Sequence, residues 1–101
     1  MDSLRDKVKQ VVSGYAGKAL NGISYLTQND DGSVLTVTDF ARIRGKHISG
    51  VSLIVRIVDN LIIVERDQND KIVKDALVQA GIPREQIILA YAGEFVPEVM
   101  P

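Results

Sequence analysis

The chain has 101 residues, 46% hydrophobic and 25% charged, with twelve Lys and Arg against thirteen Asp and Glu and a formal charge of −1. That length supports one hydrophobic core and a single domain over residues 1–101, and the near-neutral balance argues against strong autonomous DNA binding, which needs a basic excess or face. The absence of cysteine excludes disulfides, thiolate catalysis and cysteine-ligated zinc. No run approaches the ~20 apolar residues of a membrane span, and the opening Met1-Asp2-Ser3-Leu4 lacks the apolar stretch of a signal peptide, so a cytoplasmic location is expected.

In chain order, Leu4, Val8, Val11, Val12, Tyr15 and Ala19 recur at helical spacing. They predict an N-terminal amphipathic helix, opened by a Ser3/Asp6 capping box and ending near Ala16, with residues 15–21 as exit and connector. From Ile23 the residues turn β-branched and aromatic, and three turn signals divide them. Asn29-Asp30-Asp31-Gly32 separates strand 23–28 from 33–42, and Arg44-Gly45-Lys46 separates the latter from 47–58. Asp59-Asn60 then makes a two-residue hairpin loop into 61–66. The expectation is an antiparallel meander of four strands.

The last two of these strands are apolar almost throughout. Simple alternation puts Val51, Leu53, Val55 and Ile57 on one face and Ile54 and Val58 on the other, followed by Leu61-Ile62-Ile63-Val64. A strand apolar on both faces is covered on its second side by helices or by another subunit. Val51, Leu53, Ile54, Val55, Val58, Ile62 and Val64 are therefore candidate interface residues, and a homo-oligomer, most simply a dimer, is expected.

A second helix carries the stripe Ile72, Val73, Ala76, Leu77 and Ala80, with Asn69 as its cap and Asp70 in the first turn. Gly81 supplies a left-handed stop, and Ile82-Pro83 the apolar contact and block that follow it. Residues 83–86 read as one helical turn, 87–91 as a short strand joining the sheet, and 92–101 as an irregular apolar tail.

No constellation for catalysis is visible. His47 is the only histidine and sits beside a turn, so a solvated turn residue accounts for it without a partner base or ligand. Asp30/Asp31 and Asp67/Asp70 lack the spacing of a calcium loop and have local roles in a turn and at a helix start; no metal and no cofactor is expected. No phosphate-binding glycine loop, nucleophile elbow or zinc-binding His-Glu-x-x-His occurs. Arg42, Arg44 and Lys46, with His47, form a basic hairpin end that could touch phosphate, but aromatic stacking partners are scarce at 5%.

Two stretches carry a resemblance: residues 50–67, GVSLIVRIVDNLIIVERD, and residues 76–89, ALVQAGIPREQIIL. They resemble the XisI family of small cyanobacterial proteins, most strongly in Leu-Val-x-Ala-Gly-Ile-Pro-Arg-Glu-x-Ile-Ile-Leu, and the opening helix ending in Tyr15-Ala16 is similar too. The chain departs from the family pattern at Ile54 and Arg56, where a His and an Asp are usual, around residues 42–45, where a Trp-containing turn is usual, and at residues 90–95, where Phe-His-Pro-Pro is usual. The family is named for the controlling factor of fdxN element excision, which works with a companion called XisH when a DNA element is removed in developing heterocysts. The resemblance implies an accessory role beside a nuclease-like or recombinase partner, with nucleic acid met indirectly. It also implies an α+β fold of N-terminal helix, antiparallel sheet and C-terminal helix.

Residues and resemblance together lead to a non-enzymatic protein that docks to an XisH-like companion through the apolar face of the 51–64 hairpin or the apolar tail. The alternatives from other classes are a direct nucleic-acid binder and a small-ligand module with a pocket between helix and sheet.

Overall fold

The computed structural model describes residues 3–97; the Ser3 side chain, and with it the predicted capping box, lies outside the described set, as do the last four residues of the tail. Helix α1 (Ser3–Ser13) is followed by five strands, β1 (Gly17–Ala19), β2 (Gly22–Gln28), β3 (Val34–Ile43), β4 (Lys46–Val58) and β5 (Leu61–Asp67). Helix α2 (Val73–Gln79), a 3₁₀ turn (Arg84–Gln86), β6 (Ile87–Leu89) and a second 3₁₀ turn (Ala90–Ala92) complete it. The α+β class holds, but the sheet has six strands in the order β1-β2-β3-β4-β5-β6.

Two features of that sheet depart from expectation. The predicted connector at residues 15–21 contains β1, whose Gly-Lys-Ala sequence has no β propensity of its own and is held only by its ladder to β2. The last strand runs parallel to β5, because α2 carries the chain back across the sheet before β6 begins. The other predicted strands match the observed ones to within a residue at each end.

The turns follow from backbone chemistry. Arg44 and Gly45 at the β3–β4 tip have φ of 52° and 78°, the two-residue turn whose twist matches that of the flanking strands. At the end of α2, Gly81 takes φ 99° while its N–H and that of Ile82 donate to the Val78 and Leu77 carbonyls at 3.0 and 3.1 Å. This is a Schellman closure, and Ile82 turns back into the core.

The start of α2 is capped differently from the sequence expectation. Asp67, at the end of β5, accepts the Val73 N–H at 2.7 Å and the Asn69 backbone N–H at 3.1 Å, so the Asp carboxylate caps the helix and Asn69 braces the Asp. Asn69 lies too far ahead of the first turn to reach it, since the helix begins only at Val73.

Both helices pack on one face of the sheet. Val8 and Val12 of α1 and Val73 and Leu77 of α2 meet Leu35, Val37, Leu53, Val55, Ile57, Ile62, Val64, Ile87 and Leu89 in a single core. Each fully buried aliphatic side chain contributes about 1.5–3 kcal/mol relative to exposure. The molecule measures 43 × 29 × 26 Å, and residues 42–50 of the β3–β4 hairpin are all exposed, standing clear of the helical layer.

Candidate functional site

Two β-bulges decide which side chains this sheet presents. Between Val37 and Thr38 the ladder skips one residue, so Val37 faces Leu53 while Thr38 faces Val51, and Ser52 is the extra residue. Ser52 is buried, its hydroxyl 3.3 Å from Asp39, which also accepts from Ser24 at 2.6 Å. Simple alternation groups Val51 with Leu53 and Val55; the bulge instead turns Val51 to the opposite face, beside Thr38 and Ile54. The second bulge makes Glu65 the extra residue, so Val64 opposes Val55 on the core side and Arg66 opposes Ile54 on the other.

The seven candidate interface residues therefore split. Leu53, Val55, Ile62 and Val64 are 0% exposed in the core beneath the helices, where they have no access to a partner. Val51, Ile54 and Val58 lie half-buried on the outer face. A candidate set confined to the 51–64 hairpin also omits Ile23, Tyr25 and Phe40, which the β2–β3 register brings to that same face. Tyr25 and Phe40 are 53% and 44% exposed, their rings edge to face with centroids 5.8 Å apart. The missed signal is the alternation of strand 23–28, where the aromatic Tyr25 falls on the side opposite Leu26.

Among the described residues no helix lies over this outer face; the buried residues of both helices all join the inner core. Only Ile63 is fully buried there, flanked by Arg56 on β4 and Ile88 on β6. Arg56 donates to Glu65 at 2.8 Å through Nε, with Nη2 2.7 Å away.

The basic hairpin end does not form one patch. Arg42 and His47 oppose each other on the outer face, Lys46 pairs with Ile43 on the inner side, and Arg44 occupies the turn. All four are exposed. The strand pair thus directs Arg42 and Lys46 to opposite faces, with Arg44 between them at the tip.

The predicted gap between helix and sheet is filled by core side chains. A cleft of about 620 Å³ lies instead between the helices, lined by Lys7, Gln10, Val11, Tyr15, Lys71 and Ala76 among others. The Tyr15 hydroxyl donates to the Lys71 carbonyl at 2.8 Å across it. Burial, and then the negative charges of Asp67 and Asp75, push its phenol above the ordinary value and keep it a donor.

The outer end of the sheet is sealed by side chains. Glu94 accepts the Leu89 N–H at 2.8 Å and an Arg84 guanidinium N–H at 2.8 Å, while Arg84 also donates to the Ile87 carbonyl at 2.6 Å. These bonds occupy β6 edge groups that would otherwise invite another strand. Among the described residues no group of three or more His, Cys, Asp or Glu could hold a metal ion, and no helix is long and apolar enough to cross a membrane.

With this geometry in view, the fold compares with two crystal structures from Anabaena variabilis ATCC 29413. A XisI-like protein superposes with a TM-score of 0.72 at 20% identity, covering 86% of this chain and 83% of its own. The fdxN element excision controlling factor XisI gives 0.64 at 18% identity, covering 86% and 88%. No protein of curated function matches the sequence. The sequence matches the family described as XisI protein over residues 1–100, nearly its whole length, and the chain belongs to that family.

Proposed function

We propose that this chain is a non-enzymatic accessory factor of DNA-element excision that acts by docking a companion protein of the XisH type on its outer sheet face. The observation that carries this reading is the contrast across one sheet: Leu53 and Val55 are sealed at 0% exposure, while Tyr25 and Phe40 stand 53% and 44% exposed on the opposite side. Exposed aromatic residues clustered with Val51 and Ile54 on one sheet face match the centre of a protein interface, where Tyr and other aromatic residues dominate binding. Family membership supports the excision context, since one similar structure is described as an excision controlling factor.

The test is co-expression with an XisH-type protein followed by affinity capture. The wild-type chain should carry the companion through purification, and the double variant Tyr25→Ala/Phe40→Ala should lose it while keeping its cooperative unfolding. Failure of the wild-type pair to associate, or turnover of a nucleic-acid substrate by this chain alone, would overturn the reading.

A further inference from the structure

We propose that the outer sheet face recognises an acid-rimmed apolar surface on its partner, and that a second copy of the same face is excluded by charge. The inference rests on the docking reading above and specifies the partner's chemistry.

The ladder registers show a segregation of charge that the composition conceals. Lys18 opposes Ile23, Arg42 opposes His47, Arg56 opposes Ile63 and Arg66 opposes Ile54, which places four cations on the outer face. The strands contribute one carboxylate to that face, Glu65, and Arg56 already holds it at 2.7 Å. Since the whole chain carries −1, the surplus of positive charge here is matched by a larger negative surplus elsewhere. The other strand carboxylates, Asp39 and Asp67, face the helical side and are taken up by Ser24, Ser52, Asn69 and the Val73 N–H.

The cations also have an arrangement. Lys18, Ile23, Phe40 and Ser49 form one row across four strands, and Thr27, Thr36, Ile54 and Arg66 form another, with Val51, Thr38 and Tyr25 in the row between. Apolar and hydroxyl side chains thus occupy the middle, with Lys18 and Arg42 towards one end and Arg66 at the β5 side, while Arg56, between Ile54 and Val58 on β4, is neutralised by Glu65. This is the order of a protein interface, an apolar centre inside a charged rim, and rim charges of one sign select a partner with the opposite sign.

Two rival occupants fit less well. A two-fold pairing of identical faces would set one cationic margin against another, with no unpaired carboxylate among the described strand residues to separate them. A single-stranded nucleic acid would meet the cations, but its bases need ring faces to stack on. Tyr25 and Phe40 are edge to face rather than side by side, and the remaining apolar groups between the margins are aliphatic.

Two measurements test this separately from docking itself. In the first, association of the XisH-type companion is followed at low and high salt for the wild type, for Arg42→Glu/Arg66→Glu, and for the control Lys9→Glu on α1. The association rate should fall about tenfold or more with salt and in the double variant, and remain unchanged in the control. A complex whose rate ignores salt and charge reversal overturns this inference and leaves docking intact.

The second needs no companion. Amide shifts of the chain are titrated with an amphipathic Leu/Glu peptide and with a single-stranded oligonucleotide. Shifts centred on Tyr25, Phe40 and Val51 with the peptide, lost in Arg42→Glu/Arg66→Glu, support the inference. Shifts there with the oligonucleotide alone, no response to the peptide, or a back-to-back dimer that persists at low salt would each overturn it.

Discussion

Leu53 and Ile54 are neighbours on one strand, similar in size and polarity, yet they belong to different regions of the molecule. Leu53 sits at 0% exposure beneath α1 and α2, and Ile54 lies half-buried on a face that no described helix covers. The inner face is where this protein holds itself together, and the outer face is where Tyr25 and Phe40 stay exposed and Val51, Ile54 and Val58 half-buried. Hydropathy cannot separate such neighbours. Their difference comes from the pleat, the two bulges and the side of the sheet to which the helices return.

Substitutions on the two faces sharpen the contrast. The largest effect is expected from Leu53→Ala, which removes buried methyl groups from a packed core and should cost about 2–5 kcal/mol of stability in urea unfolding. If Leu53→Ala cost no more than an outer-face truncation, the inner and outer assignments would be wrong. Next comes Asp67→Ala, which leaves the Val73 and Asn69 N–H groups without their shared acceptor; about 1–2 kcal/mol should be lost, with earlier hydrogen exchange at the start of α2.

Tyr25→Ala/Phe40→Ala should cost only about 1 kcal/mol or less, roughly the worth of an exposed aromatic pair, while abolishing companion capture. A large stability loss with capture retained would reverse the meaning of the outer face.

The smallest effect concerns the sealed β6 edge and is read through pH. The Leu89 N–H, and then the Arg84 guanidinium, hold the Glu94 carboxyl below the ordinary glutamate range. A carboxyl lowered in the folded state contributes stability above its unfolded value and loses it as pH falls through the folded value. The difference between wild type and Glu94→Gln in urea midpoint should therefore be present at neutral pH and vanish on acidification. A gap that persists in acid would show that the carboxylate charge is not what matters there.

Much of the layout was legible beforehand for local physical reasons. Four strands, the Asp59-Asn60 hairpin loop and the Gly81 stop declare themselves through turn residues and β-branched runs whose chemistry acts within a few positions. Strand β1 was not legible because Gly17-Lys18-Ala19 has no preference that its neighbour β2 does not impose. Local spacing points to Asn69 as the cap of α2, whereas a carboxylate reaching from Asp67 depends on how the loop folds back.

The candidate site was the least legible part. Apolarity points to seven residues, and four of them, Leu53, Val55, Ile62 and Val64, are core. Tyr25 and Phe40 lie outside the 51–64 hairpin and became neighbours of Val51 only through strand pairing.

Composition, periodicity and turn chemistry by themselves determined an α+β layout with two amphipathic helices and a meander. Those are properties of spacing along the chain. The tertiary structure alone decided the parallel β6, the side on which Val51 emerges, and the gathering of Lys18, Arg42, Arg56 and Arg66 on one surface of a chain that is acidic overall. Each of these depends on register between distant strands, and a single bulge residue is enough to carry a side chain from one face of a sheet to the other.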